Sequence, residues 1–191
     1  KYVLSNQVDI AFAFDGDADR IMILDENAKE YDGDYILALL AKELDLDPKI
    51  IVATSMSNGA LKTFLSRVDT QFVETAVGDK NVAIGMKETG AKIGGEQSGH
   101  IIYTDYAPFG DGVLIAILIS GILAARKNVD QNVKASELLN LFTPMVQLHE
   151  KVEVVNKKSA IQSDDIDQAI REHLSKLGVD SRIVIRPSGT E

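Results

Sequence analysis

The 191-residue sequence contains no cysteine, which excludes disulfides and any metal site built on thiolates. It also lacks a basic excess. Twenty Lys and Arg stand against 29 Asp and Glu, for a net charge of −9. A general binder of nucleic acid or membrane surface needs the opposite field. An anionic small molecule is not excluded, because local arginines, backbone amides or a metal ion can hold one. The most hydrophobic run, Val113–Ala125, has 13 residues, short of the about 20 that a helix needs to cross a bilayer. It reads as a buried helix of an α/β layer. No internal repeat, low-complexity tract or signal peptide is evident. What remains, 45% hydrophobic and 26% charged, is the composition of an ordinary globular protein, and the absence of cysteine fits a cytoplasmic location.

Short apolar segments alternate with helical periodicity over residues 30–128, the signature of a parallel α/β layer. "VDIAFAF" (8–14) reads as a buried strand and "IMILD" (21–25) as a second. Asp32 and Asn58 have the chemistry of N-caps for the helices that follow them. Further strands are expected over "KIIVATS", "QFVET" and "HIIYT", with helices over "KNVAIGMKET" and "DGVLIAILISGILAARK". The pattern changes after Asn128. "VQLHEKVEVV" alternates like an exposed antiparallel strand, "SDDIDQAIREHLSKLG" is an amphipathic helix between Ser163 and Gly178, and "SRIVIR" is a final strand. The class is α/β, with a boundary near residues 129–144 and a small α+β domain after it. The chain starts at Lys1 and stops just after a loop-like stretch, so it is expected to be part of a longer protein.

"DGDADR" (15–20) places Asp15, Asp17 and Asp19 at alternate positions and follows them with Arg20. Three such carboxylates repel one another unless solvent or a cation screens them. Gly16 is expected to let the backbone curl so that the oxygens converge, and hard oxygen ligands suit Mg²⁺ or Ca²⁺. The twelve positions from Asp15 match the acidic positions of an EF-hand as far as Glu26. Arg20, however, stands where that loop needs glycine, and strands rather than helices flank it, so the EF-hand fails. An arginine beside a metal is well placed to hold a phosphate that the metal also touches, which points to phosphoryl chemistry. A solvated acidic turn is the competing reading.

Two further loops stand out. "GGEQSGH" (94–100) lies between strand segments, and its Glu96 and Ser98 pair an acceptor with a hydroxyl, as vicinal sugar hydroxyls require. His100 flanks this loop and is a proton-transfer candidate; His149 and His173 take no role. "RPSGTE" (186–191) offers Arg186 for a bidentate phosphate contact, the hydroxyls of Ser188 and Thr190, and at Gly189 a backbone free to form an anion nest. Alone, each of these loops is equally well a polar turn. "TSMSNG" (54–59) sits where a strand gives way to a helix, and its Ser57 and Asn58 read as ordinary caps.

In this order and spacing the three loops, together with "TAVGDKNV" (75–82), resemble the α-D-phosphohexomutase family, and within it the bacterial phosphoglucosamine mutases most of all. The resemblance implies that residues 1–26 close a second domain with its metal-binding loop. It implies an α/β third domain over 27–130 with the sugar-binding loop, and a truncated α+β fourth domain over 140–191 with the phosphate-binding loop. By the same resemblance Asp15, Asp17 and Asp19 bind Mg²⁺, and Arg20, His100 and Lys80 are catalytic candidates. Glu96 and Ser98 hold sugar hydroxyls, while Arg186, Ser188, Gly189 and Thr190 bind the substrate's non-transferring phosphate. The implied reaction interconverts glucosamine 6-phosphate and glucosamine 1-phosphate through a phosphoserine and a 1,6-bisphosphate. The family's phosphoserine loop has no match here, so the missing N-terminal domains are an implied partner and the chain alone is expected to be inactive. A phosphomannomutase or phosphoglucomutase, and a non-catalytic sugar-phosphate-binding fragment, stay open as alternatives. No nucleic-acid or membrane partner is implied, and homodimerisation stays open.

Overall fold

The protein is described here by a computed structural model covering residues 2–156, 159, 161, 163–178 and 181–187. It divides into two units, Lys1–Met145 and Val146–Glu191. In chain order the first unit holds α1 (Tyr2–Asn6), β1 (Ile10–Phe14), β2 (Ile21–Asp25), β3 (Glu30–Tyr31), α2 (Gly33–Glu43), β4 (Ile50–Thr54), α3 (Gly59–Arg67) and β5 (Gln71–Thr75). It continues with α4 (Asp79–Thr89), β6 (Ile93–Gly95), β7 (Ile101–Tyr103), β8 (Ala107–Gly110), α5 (Gly112–Val129) and α6 (Ala135–Leu139).

Ile51, Val52 and Ala53 of β4 are all fully buried, and strand alternation sends them to opposite faces. Ile51 and Ala53 join the larger core with Leu37 and Leu40 of α2 and Leu61 and Leu65 of α3. Val52 packs on the other face with Val82 and Met86 of α4 and with Ile102. Helices therefore cover both faces of one sheet, which is why β4 is apolar throughout. The helices start where capping chemistry permits. Asp32 accepts from the Asp34 amide at 3.1 Å, Asn58 from that of Ala60 at 3.0 Å, and Asp111 from that of Leu114 at 2.8 Å.

The five strands of this sheet run in the order β5-β4-β6-β7-β8. β4 is parallel to β5 and β6, whereas β7 is antiparallel to both β6 and β8. The expected parallel layer is thus mixed from β6 onward. Only Glu96–His100 connect β6 to β7, and a parallel crossover needs a dozen residues or more. β8 has no strand-like sequence, because Pro108 removes an amide donor; an edge position tolerates that loss.

β1, β2 and β3 form a separate antiparallel sheet. β1, expected to be buried, is an edge strand with Phe14 43% exposed. The apolar run of α5 likewise buries only one stripe, Gly112, Ile115, Ala116, Ile119 and Leu123, and leaves Val113 and Ile117 exposed.

In the second unit, α7 (Asp164–Leu174) follows Ser163 as its N-cap and closes at Ser175, before Gly178. The strands expected over 146–155 and 181–186 form no ladder among the described residues. Alternating sequence favours a strand only where a neighbouring strand supplies hydrogen-bond partners.

Candidate functional site

Phe14 pairs with Ile21 at the end of the β1–β2 hairpin, so Asp15–Arg20 are wholly loop. The Ala18 amide donates to the Asp15 carbonyl at 3.3 Å, and the Arg20 amide to Asp15 Oδ1 at 3.2 Å. The left-handed residue in this loop is Ala18, with φ of 60°, so the curl expected of Gly16 falls two residues later. One oxygen from each of Asp15, Asp17 and Asp19 lies within 4.8 Å of the other two. A magnesium ion about 2.1 Å from its ligands spaces them by at most roughly 4.2 Å. Exposed Asp15 and Asp17 can close that gap by small side-chain rotations. An all-carboxylate donor set fits a hard divalent cation. Arg20 Nε stands 3.9 Å from Asp15 and 3.8 Å from Asp19, a loose ion pair that leaves the guanidinium available to an anion.

The second hairpin tip is Glu96–His100, since Gly95 pairs with Ile101. Within it the Gly99 amide donates to the Glu96 carbonyl at 3.0 Å, and the Glu96 amide to that of His100 at 2.9 Å. Gly99, at φ +91°, lies so close to the first hairpin that a Cβ would stand 2.1 Å from the Ile21 carbonyl oxygen. That approach joins the two loops. The Ile21 amide donates to the Gly99 carbonyl at 3.1 Å, Arg20 and His100 form an antiparallel bridge, and His100 Nδ1 lies 3.1 Å from Asp19 Oδ2. His100 is 7% exposed, and its ring lies against Gly110, where a Cβ would stand 2.4 Å from Cε1. The ring is therefore committed to Asp19.

Helix starts complete the surroundings. The Gly112 amide donates to the Ala18 carbonyl at 2.9 Å, which brings the positive end of α5 to the acidic loop. At the start of α2 the Gly33 amide donates to the Gln97 carbonyl at 3.0 Å. Burial pushes the Asp32 carboxyl above its usual range, against hydrogen bonds from the Tyr35 and Asp34 amides that pull it down. Glu96 Oε1 accepts from the Gly78 amide at 2.9 Å, which ties the loop before α4 to the Glu96 hairpin. Gly78 has φ +120°, open to glycine and strained for other residues. Lys80 is exposed in the first turn of α4, and Ser98 is exposed at the hairpin tip. Arg186 is exposed in the second unit, while Ser188, Gly189 and Thr190 lie outside the described residues.

Sequence reasoning passed over Gly33, Gly78 and Gly112 as builders of this site. For two of them a signal existed: "DGD" at 32–34 and "GDG" at 110–112 set glycine beside a capping aspartate.

Residues 32–145 match the family described as phosphoglucomutase/phosphomannomutase, alpha/beta/alpha domain III. The chain is 40% identical over 195 aligned residues to a phosphoglucosamine mutase of Maricaulis maris, an alignment covering 100% of this chain and 42% of that protein. A solved phosphoglucomutase/phosphomannomutase family protein from Burkholderia thailandensis superposes with a TM-score of 0.65 at 27% identity, over 74% of this chain and 31% of that one. An N-acetylphosphoglucosamine mutase of Aspergillus fumigatus, solved in complex with GlcNAc-6P and magnesium, shares the fold with a TM-score of 0.56 at 23% identity, over 71% and 36% of the two chains. The chain thus spans less than half the length of these relatives. The stretch matched by the family runs from the cap of α2 to the last residue of the first unit and includes both helical layers and the Glu96–His100 hairpin, and on that ground the chain belongs to the phosphoglucomutase/phosphomannomutase family of phosphohexomutases.

Proposed function

We propose that the chain is the metal- and sugar-binding part of a phosphoglucosamine mutase, which interconverts glucosamine 6-phosphate and glucosamine 1-phosphate through a phosphoserine and a 1,6-bisphosphate. The observation that carries this reading is the junction of the two hairpins. The Arg20–His100 bridge and the Asp19–His100 contact hold three carboxylates and an arginine beside a carboxylate–hydroxyl pair. The 40% identity to a phosphoglucosamine mutase along the whole chain supports an amino sugar over a neutral one.

Asp15, Asp17 and Asp19 would hold Mg²⁺, a reading supported by the magnesium in the A. fumigatus relative. Bound there, the ion neutralises charge on a transferring phosphoryl group. Arg20 holds a phosphate oxygen from beside the acidic loop. The Gly78 amide occupies one oxygen of Glu96, so Oε2 and the Ser98 hydroxyl are left for sugar hydroxyls. Lys80 is the group we assign to proton transfer, and His100 keeps Asp19 oriented. Arg186, with Ser188, Gly189 and Thr190, binds the phosphate that is not transferred. A phosphate presents the same oxygens whichever end of the sugar bears it, so one loop serves both isomers. Exchange also needs a group that takes and returns phosphate, and we assign it to a serine in the N-terminal part of the parent enzyme.

The test is the full-length enzyme assayed on the 6-phosphates of glucosamine, glucose and mannose. The amino sugar should be preferred, and Asp17→Asn should lower kcat by about a hundredfold or more, as loss of charge stabilisation implies. A neutral-sugar preference moves the assignment to a phosphomannomutase or phosphoglucomutase. An Asp17→Asn enzyme with unchanged rate and Mg²⁺ requirement refutes the metal loop. Residues 1–191 alone, given Mg²⁺ and a bisphosphate, should show no turnover; turnover would return the nucleophile to Ser55 or Ser57.

A further inference from the structure

Two consecutive residues at the start of α2 grip the Glu96–His100 hairpin, and both grips fall on Gln97. The Gly33 amide donates to the Gln97 carbonyl at 3.0 Å. The Asp32 carboxylate accepts a hydrogen bond from the Gln97 side chain. Asp32 thus serves more than its own helix. Its Oδ1 accepts from the Asp34 amide at 3.1 Å, and the Tyr35 amide also reaches the carboxylate. Burial raises the pKa of this half-buried group, while the donors of α2 and of Gln97 pull it down. Capping requires the helix amides alone; the Gln97 contact comes from another element. The residue that follows Gln97 needs such support. Ser98 is exposed, and among the described residues neither its backbone nor its hydroxyl makes a hydrogen bond. Its place is therefore set by its two neighbours. Gly99 is held by the Ile21 amide, which donates to its carbonyl at 3.1 Å. Gln97 is held by Asp32 and Gly33. Glu96 has a separate tie, from Oε1 to the Gly78 amide at 2.9 Å.

We propose that Asp32 is a positioning residue for this hairpin, holding the Gln97 side chain so that the Ser98 hydroxyl stays aimed at the sugar. The aim at a sugar rests on the function proposed above; the grip on Gln97 does not. A carboxylate has more acceptor sites than the helix amides use, so one group can serve helix and hairpin together. The bond from Gly33 alone would leave the hairpin tip free to rock about a single point. A second bond, from the adjacent residue to the same Gln97, removes that freedom, and as a bond to a charged acceptor it is a strong one.

Substitutions at the two positions separate the grip from the cap. Asp32→Ser keeps a good helix cap, but its single short hydroxyl is committed to α2. Asp32→Asn keeps the capping oxygen and offers an amide to which Gln97 can turn its own carbonyl. Gln97→Glu sets a second carboxylate against Asp32, and Asp32→Asn in the same chain restores a donor to it. Hydrogen exchange, read by NMR on the 191-residue chain, is the assay. The amides of Glu96 and Gly99, both bonded within the hairpin, report on it. In Asp32→Ser they should exchange about tenfold faster, the effect of losing one hydrogen bond to a charged group, while the interior of α2 keeps its protection. Asp32→Asn should stay within about threefold of the native chain. Gln97→Glu should accelerate the same amides, and adding Asp32→Asn should reverse that acceleration. Unchanged exchange at Glu96 and Gly99 in Asp32→Ser, or an acceleration shared equally by α2, overturns the proposal. Should Asp32→Ser fail to fold, the Gln97→Glu pair decides: reversal by Asp32→Asn supports the grip and its absence refutes it. In the full-length enzyme Asp32→Ser should lower kcat for the sugar phosphate about tenfold and leave KM within about threefold, because the hairpin orients a substrate that phosphate contacts hold. Asp32→Asn should recover most of that loss. The kinetic arm depends on the proposed function and the exchange arm does not, so the two can fail separately: an unchanged kcat beside accelerated exchange overturns the positioning role and keeps the grip.

Discussion

Replacing Gly33 by alanine would insert one methyl group into a closed contact between α2 and the Glu96–His100 hairpin. A Cβ at this position stands 1.9 Å from the Glu96 carbonyl oxygen and 3.0 Å from the carbonyl carbon. Ordinary contact begins at 3.4 Å, so the two elements must part by about 1.5 Å, which is 3.4 minus 1.9. Both walls are backbone, and no rotamer change relieves the clash. The same opening breaks the bond from the Gly33 amide to the Gln97 carbonyl, now 3.0 Å long. Overpacking of this kind costs about 1–3 kcal/mol, and the lost hydrogen bond about 0.5–1.5 kcal/mol more. The preference of a helix interior for alanine offsets little at a first helical position. The expected loss is roughly 1.5–4.5 kcal/mol, and at about 2–4 °C per kcal/mol the melting temperature should fall by at least ~3 °C. Calorimetry on the two chains measures it. Gly16→Ala is the control, since a Cβ there meets nothing within 4 Å and stability should stay within about 0.5 kcal/mol of the native value. A Gly33→Ala chain melting within about 1 °C of the native one would refute the reasoning, because the hairpin would then have room that the packing denies it.

Gly121→Ala should act in the opposite direction: it lies on the exposed side of α5 with nothing within 4 Å of a Cβ, so a urea titration should show a gain of about 0.5–1 kcal/mol. The Glu26 carboxyl offers a pH test. Partial burial pushes its pKa up, but the hydroxyl and amide of Ser136 outweigh that and leave it below the usual value of 4.5. A folded pKa lower than the unfolded one means stability that is present above the unfolded value and lost as pH falls through the folded one. Ser136→Ala should therefore flatten the decline of urea midpoints below about pH 4.5, and an identical acid limb in both chains would remove Glu26 as a cause.

The sequence by itself determined what is settled within a few residues. Asp32 and Asn58 were legible as caps because a side chain needs to reach only two residues to find its amide. The burial of β4 was legible because a strand covered on both faces must be apolar at every position. "DGDADR" and "GGEQSGH" were legible as unusual loops because charge and glycine concentrate there against the grain of their flanks. Other features were decided only by tertiary structure. Edge exposure of β1, the antiparallel return of β7 and the Pro108-bearing strand depend on which neighbour each strand meets, and local pattern does not encode neighbours. The site follows the same division. His100 meets Asp19 across 81 residues, Met145 meets Asn58 across 87, and Gly78 meets Glu96 across 18. In each case the partners are set by how whole elements pack, and the glycines that allow the closest approaches, Gly33 and Gly99, show their purpose only when the opposing backbone is in place.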